Sequence, residues 1–309
     1  MSARLATRGS ELALWQASRA REALGGTPEL VVVDSRGDRD LTTELARFGS
    51  IGIFTVEVDR AVLDGRADVG VHSLKDMTTT LQDGVVLAGV LERGAVEDCL
   101  VSREPGWTLA GLPEGARVGT GSQRRGAMLL AARPDLELVP IRGNVATRAE
   151  RVAAGDVDAT VLARAGLTRL GMEHLITEVL DVDRFLPAVG QGIVGLTCGA
   201  DDADTRARLE AEVRDASAWA CARAERAFLR AVQGGCNAPI GGHATLDGDG
   251  TLRLRGRVLS LDGQRAHERA IEGPQGDAES IGTRLADALL ADGAGELIAE
   301  ARARAESDG

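Results

Sequence analysis

The sequence predicts an α/β protein, with two α/β lobes built alike and a smaller antiparallel α+β unit after them. Three observations carry this. Short apolar strand segments alternate with helix-period segments through the first two-thirds of the chain, the pattern of a mostly parallel sheet flanked by helices. That alternation occurs twice, with similar Gly-containing turns after the strands. Past Asp201 the texture changes to nearly continuous helix pattern and then to three short alternating strands.

The first round opens with a strand at Leu5-Ala6-Thr7, the turn Arg8-Gly9-Ser10, and a helix from Glu11 to Leu24 with Ser10 as its N-cap. A valine-rich strand follows over Leu30–Asp34. A helix over Thr55–Leu63 ends at Asp64-Gly65. A strand over Ala67–Val71 opens into His72-Ser73-Leu74-Lys75-Asp76, and Val85–Leu91 is the next apolar run. The second round places strands at Arg117–Gly119, Leu136–Ile141 and Asp158–Leu162, and helices at Gln123–Ala132, Val145–Ala153 and Ala165–Leu170. Pro134 and Gly155 stop the first two helices. The last part reads as helix from Asp202 to Val232, broken near Asp215-Ala216-Ser217. Strands at 241–246, 251–259 and 265–272 come next, and two closing helices end the chain. Asp247-Gly248-Asp249-Gly250 is a hairpin signal between the first two of those strands.

A chain of 309 residues implies two or three domains. The balance of 44% apolar and 27% charged residues is that of a soluble globular protein. No apolar run approaches the roughly 20 residues of a membrane helix, and the N-terminal residues lack a signal-peptide core. The expectation is a cytoplasmic protein without a membrane partner. The four cysteines, Cys99, Cys198, Cys221 and Cys236, form no CxxC pair and have no metal-ligand spacing to the histidines, so they read as reduced thiols and no metal is expected.

A net charge of −11 argues against nucleic-acid binding. Arginine is nevertheless dense between 117 and 148, where Arg117, Arg124, Arg125, Arg133, Arg142 and Arg148 face only Asp135 and Glu137 among acids. A basic island in an acidic chain suits a small polyanion, and it suits equally a solvated helix face. The chain holds a single lysine, Lys75, beside 35 arginines. The lone lysine reads either as a position that needs a compact ammonium where a guanidinium fork will not serve, or as a chance survivor.

Four constellations have chemical potential. Cys236 sits in Gln233-Gly234-Gly235-Cys236-Asn237-Ala238-Pro239, a tight loop after a helix that could present a thiolate, or simply house a small half-buried cysteine. Lys75-Asp76 follows an apolar strand, as an acid/base group or as a loop ion pair. Gly119-Thr120-Gly121-Ser122-Gln123-Arg124-Arg125 and Arg142-Gly143-Asn144-Val145-Ala146-Thr147-Arg148 each join a strand, a turn and an arginine-bearing helix start, a setting that holds carboxylates. Arg8 has the same strand-to-helix setting. Leu186-Pro187-Ala188-Val189-Gly190-Gln191-Gly192 is a linker or a hinge between lobes.

Taken in order, these motifs resemble the signature set of the porphobilinogen deaminase family. They are Ala6-Thr7-Arg8-Gly9-Ser10…Leu14-Trp15-Gln16-Ala17, His72-Ser73-Leu74-Lys75-Asp76, Gly119-Thr120…Arg124-Arg125, Arg142-Gly143-Asn144…Thr147-Arg148, Pro187-Ala188-Val189-Gly190-Gln191-Gly192 and Glu225-Arg226…Gly234-Gly235-Cys236…Pro239-Ile240-Gly241. The resemblance implies two α/β domains like those of periplasmic binding proteins and a third domain with a three-stranded antiparallel sheet. Domain 1 would hold 1–92 plus 191–209, domain 2 would hold 96–186, and domain 3 would hold 213–309. It implies a transferase of porphyrin biosynthesis that condenses four porphobilinogen molecules head to tail on a covalent dipyrromethane. Ammonia and the linear tetrapyrrole hydroxymethylbilane are released.

The resemblance also assigns roles. Cys236 carries the dipyrromethane through a thioether, and Asp76 is catalytic. Arg8, Ser10, Ser73, Lys75, Thr120, Ser122, Arg124, Arg125, Arg142, Gly143, Asn144, Arg148, Arg169 and Phe54 bind cofactor or substrate, whose carboxylates would account for the basic island. The family habit implies a monomer. Departures from the family pattern are Ile51 in place of a lysine, Gly121 in place of a serine, Met77-Thr78 in place of valine-proline, and Ala238 in place of a β-branched residue. The rival reading is a non-catalytic two-lobed binder of a small polycarboxylate, which needs neither Cys236 nor Asp76.

Overall fold

The computed structural model describes residues 3–34, 55–232 and 238–307. The sequence-predicted Phe54 and Cys236, and the departure at Ile51, lie outside them.

The first sheet has strand order β2-β1-β3-β10-β4, from β1 (Arg4–Arg8), β2 (Glu29–Val33), β3 (Val69–Ser73), β4 (Val85–Val90) and β10 (Val194–Gly199). The second has order β7-β6-β8-β5-β9, from β5 (Asp98–Ser102), β6 (Arg117–Gly119), β7 (Glu137–Val139), β8 (Ala159–Ala163) and β9 (Glu178–Val179). Helices α1 (Glu11–Ala23) and α2 (Val56–Leu63) pack on the first sheet. Helices α3 (Gln123–Ala132), α4 (Val145–Ala153) and α5 (Arg164–Arg169) belong to the second. Each sheet buries its own apolar cluster, with Leu5, Val69, Val71 and Leu196 in one and Leu100, Val118, Leu129 and Val161 in the other.

The sheets are more mixed than the sequence predicts. Strands β1, β2 and β3 pair in parallel, as do β6, β7 and β8. Strand β10, however, runs antiparallel to both β3 and β4, and β5 runs antiparallel to both β8 and β9. The cause is the path of the chain. It leaves β4 to enter the second sheet as β5, and later returns to the first as β10. Neither strand is reached by the helical crossover that makes a neighbour parallel. These two crossings, Leu91–Glu97 and Pro187–Ile193, run side by side, joined by Gly94 N–H to the Gly192 carbonyl at 3.0 Å.

The third unit has the expected form. Helix α6 (Ala203–Glu212) covers β4 and β10 of the first sheet, and α7 (Ala216–Ala231) starts at the Asp215 cap, whose side chain accepts from Ala218 N at 2.7 Å. The break predicted near Asp215 is therefore a true helix start. Strands β11 (Ile240–Leu246), β12 (Thr251–Leu259) and β13 (Ala266–Pro274) form an antiparallel sheet, packed on α7, α8 (Ala278–Ala291) and α9 (Ala294–Ser307). Phe228, Leu254, Leu285 and Leu289 fill its core. This unit is fitted tightly to the second lobe. A Cβ at Gly263 would lie 2.2 Å from the Ala127 carbonyl of α3, and Leu259 is buried within the second lobe's core. Among the described residues no helix is long and apolar enough to cross a membrane.

Candidate active site

The polar motifs come together where β-strand ends of the two lobes face each other, the usual place for a ligand in open α/β sheets. On the first lobe, β3 ends at Ser73 and tightens into a 3-10 turn over Leu74–Asp76. Leu74 is buried, which leaves Lys75 and Asp76 half-buried beside it. Asp76 lines a cleft of about 400 Å³, counted with its open mouth, together with Arg8, Ser10, Gln16 and Ser73. Its carboxylate makes no hydrogen bond or ion pair among the described residues, so its lone pairs are available to a ligand.

Ser10 caps α1 by accepting from Ala13 N at 3.4 Å, and Ser73 exchanges hydrogen bonds with Gln16 at 2.8 and 3.2 Å. Beneath this wall a fully buried triad braces the strand. His72 Nε2 lies 3.1 Å from both Asp59 Oδ1 and Thr197 Oγ1, and Thr197 donates to Asp59 at 3.1 Å.

The second lobe brings the cations. Ser122 caps α3 and Asn144 caps α4, accepting from Arg125 N at 3.4 Å and Thr147 N at 2.8 Å. Thr120 Oγ1 accepts from Ser122 N at 3.1 Å. Gly143, at φ +107°, turns its carbonyl to Arg148 Nε at 2.9 Å. Both predicted strand–turn–helix motifs are therefore formed as anticipated, and the same hydroxyls and amides that were candidate ligands also hold the helix starts.

Arg125 and Arg124 are buried and converge on Asp98, the first residue of β5. Arg125 Nη2 reaches Oδ1 at 2.7 Å, and Arg124 Nη2 reaches Oδ2 at 2.8 Å. Burial alone would raise the Asp98 pKa, but the two guanidiniums hold it well below the carboxylate range. Arg124 also donates to the Leu186 carbonyl at 2.8 Å, so its donors are largely engaged inside the protein. Arg169 is likewise engaged. It stacks over the Trp15 ring of the other lobe at 5.1 Å and donates to the Gly192 carbonyl at 2.6 Å. These partners were not foreseen for Arg124 and Arg169.

Electrostatics shows that the two walls share one space. Burial lowers the Arg148 pKa to about 10, with the charges of Arg125, Asp76 and Arg142 acting on it as well. Burial and then Arg125 lower the Lys75 pKa to about 8 against the opposing pull of Asp76 and Asp98. The charge of Arg125 thus adds to burial in lowering both Lys75 and Arg148, and that of Arg142 adds to it at Arg148. Arg142 Nη1 is buried with no hydrogen-bond partner among the described residues. A buried guanidinium nitrogen without an acceptor costs about 1–3 kcal/mol, a cost that a bound carboxylate would remove. A dipyrromethane carrying acetate and propionate groups supplies such acceptors, so the donor set fits that group. Among the described residues no cluster of His, Cys, Asp and Glu could hold a metal.

Sequence reasoning assigned no role to Asp98, Gln16 or Gln191, although the two glutamines stand inside quoted motifs. The available signal for Asp98 was an acid opening the apolar run Cys99-Leu100-Val101 in a chain whose basic island needed a counterion.

Residues 3–207 match the family described as porphobilinogen deaminase, dipyromethane cofactor binding domain, and residues 219–291 match the porphobilinogen deaminase C-terminal domain. Among curated relatives, the porphobilinogen deaminase of Nitratidesulfovibrio vulgaris (strain DSM 19637 / Miyazaki F) is 46% identical over 305 residues, 96% of either chain. That of Moorella thermoacetica is 45% identical over 306 residues, 97% of either chain. That of Geobacter sulfurreducens is 44% identical over 302 residues, 96% of this chain and 94% of its own. With both halves of the chain matched and near full-length relatives at this identity, the chain belongs to the porphobilinogen deaminase family.

Proposed function

We propose that this protein is a hydroxymethylbilane synthase. It joins four porphobilinogen molecules in succession to a dipyrromethane held by the Cys236 sulfur. Water then cleaves the carbon–carbon bond between that primer and the first added ring. Its hydroxyl goes to the methylene of the product, released as hydroxymethylbilane, and its proton to the primer's α-carbon. Each addition forms one carbon–carbon bond between the aminomethyl carbon of porphobilinogen and the free α-carbon of the terminal pyrrole. Ammonia leaves from the first carbon and a proton from the second. When bound, the dipyrromethane would supply the free α-carbon for the first addition, and each added ring supplies it for the next.

The observation that supports this reading is that Asp76 lines the first lobe's cleft and lies near enough to Lys75 and Arg148 for its charge to act on both. The Asp76 carboxylate accepts pyrrole N–H hydrogen bonds and stabilises the positive charge that develops as ammonia departs, a role whose strength grows as water is excluded. Lys75, Arg8, Arg125, Arg142 and Arg148 hold the ring carboxylates, with Ser10, Ser73, Thr120, Ser122, Gly143 and Asn144 as neutral donors or turn-formers beside them. Arg124 and Arg169 complete the set, chiefly by fixing Asp98 and the lobe contact. Phe54 is assigned to the same site by its family position.

The domains we assign are 1–92 plus 191–209, 96–186 and 213–309. The first two follow the two mixed sheets and the third the antiparallel one. A cytoplasmic monomer is the state this reading carries with it, and no nucleic-acid or membrane partner is part of it.

Intact mass spectrometry of the denatured protein after incubation with porphobilinogen tests the reading. The expected mass excess is that of two porphobilinogen units less two ammonia, mapping to Cys236 and absent in Cys236→Ser. Asp76→Asn should stall with the excess incomplete or with added pyrroles unreleased. A wild-type chain that stays bare would leave the polycarboxylate-binder reading in its place.

A further inference from the structure

Gln191 is fully buried on the returning crossing, between two glycines that both have positive φ, Gly190 at +76° and Gly192 at +85°. The glycines are needed for close approach. A Cβ on Gly190 would lie 3.0 Å from Lys75 N and from Leu74 Cγ, and one on Gly192 would lie 2.5 Å from the Gly94 carbonyl. The crossing is thereby pressed between the Lys75 turn of the first lobe and the outgoing crossing that leads to Asp98.

Every polar atom of Gln191 is used. Its N–H donates to the Ala188 carbonyl at 2.9 Å, and its carbonyl accepts from Arg93 Nε at 3.0 Å. The side-chain nitrogen donates to the Val96 carbonyl at 2.7 Å and to Asp98 Oδ1 at 3.0 Å. Both of those partners are acceptors only, so the amide has one permitted orientation. Oε1 must then face the remaining neighbour, the Lys75 ammonium, at 3.5 Å. Asp98 in turn is gripped by Arg124 and Arg125.

We propose that Gln191 is a positioning residue, whose locked amide holds the Lys75 ammonium beside Asp76 and ties that turn to the arginine pair of the other lobe through Asp98. The inference rests on the reading of Lys75 and Asp76 as site residues. Its physical content is separate, because an amide oxygen aimed at an ammonium stabilises the charged form and a thioether or hydrocarbon in its place does not. Around Lys75 the other charged groups are Arg125, Asp76, Asp98 and Arg124. All four are retained when only position 191 is changed.

The single lysine makes the test clean. In full-length protein labelled with [13Cε]lysine, in the Cys236→Ser background where no primer attaches, one resonance reports Lys75. Its titration midpoint, expected near 8, should fall by about one pH unit in Gln191→Met and rise by a similar amount in Gln191→Glu. An unmoved midpoint in a folded Gln191→Met protein overturns the proposal. Should both variants fail to fold, the Gln191 side-chain amide signals of the unsubstituted residue must titrate with the same midpoint as Lys75. Amide signals indifferent to that titration overturn it equally. A chain that loads no pyrrole on Cys236 would remove the catalytic reading and leave this coupling testable. A chain that loads normally with an unmoved Lys75 midpoint would remove only the role of Gln191.

Discussion

Lys75 and Asp76 are adjacent in sequence, yet their settings differ. Asp76 opens onto the cleft with a carboxylate that has no partner among the described residues, whereas Lys75 is held among cations and burial, with Gln191 as its hydrogen-bond partner. Burial first, and Arg125 second, bring the Lys75 pKa down from 10.5 to about 8. Because the folded value lies below the unfolded one, protonating Lys75 opposes folding. The penalty is complete below about pH 8 and vanishes as pH rises toward the unfolded value. Carboxylate binding has the opposite sign, since only the ammonium attracts an anion. In cofactor-free Cys236→Ser protein, calorimetric affinity for a pyrrole dicarboxylate lacking the aminomethyl group should weaken several-fold between pH 7 and pH 9.5. Lys75→Met should flatten that dependence. A pH-independent affinity would separate Lys75 from the carboxylate site.

At the scale of elements, the turns and crossings decide where these side chains stand. Most helices and strands were legible because their signals are local. Ser10, Ser122, Asn144 and Asp215 cap the helices that they precede, and the hairpin at Asp247–Gly250 joins β11 to β12. Strands β5 and β10 carry no such signal of direction. Each is an apolar run whose orientation depends on a partner about sixty residues or more away, and neither is among the strands that the sequence predicts.

The same crossings carry the strictest backbone requirement. Gly192, at φ +85°, approaches the Gly94 carbonyl so closely that any side chain must push the crossings apart. A left-handed non-glycine residue costs about 1–2 kcal/mol before that clash is counted. Gly192→Ala should therefore lower stability by about 2–4 kcal/mol by chemical denaturation. An unaltered unfolding curve would show that the crossings can separate freely.

At the scale of the molecule, Glu225 joins the third unit to both crossings between the lobes. It lies on α7 of the third unit and is fully buried. Its carboxylate pairs with Arg93 of the outgoing crossing at 2.6 Å. It also accepts from Gly190 N of the returning crossing at 2.6 Å and from Ala244 N of β11 at 2.7 Å. Arg226, the next residue, reaches the Thr78 and Thr79 carbonyls of the first lobe at 2.8 and 3.2 Å. The helix that precedes Cys236 in the chain is thus fastened to the crossings between the lobes. Removing one partner of a buried ion pair leaves the other charge uncompensated and costs about 3–5 kcal/mol. Glu225→Ala should show a loss of that size in urea, with Glu225→Gln less affected because the amide oxygen still accepts. Equal stability of Glu225→Ala and the unsubstituted protein would mean that the third unit is held by its apolar contacts alone.

The sequence by itself determined the alternation of elements, the Ser10 cap of the first helix, the ordered motifs of the family and the presence of a lone lysine beside an acid. Each of these is either a local propensity or a property of residue type. Only the tertiary structure decided which cations are turned toward the cleft and which are engaged within the protein. Arg124 and Arg125 are neighbours in one motif, and their common anchor, Asp98, stands at the head of a different strand. The Trp15 ring that meets Arg169 and the glutamine that orients Lys75 also come from distant parts of the chain. Such partners cannot be read from spacing, because the distance between two side chains across a folded crossing bears no relation to their separation along the chain.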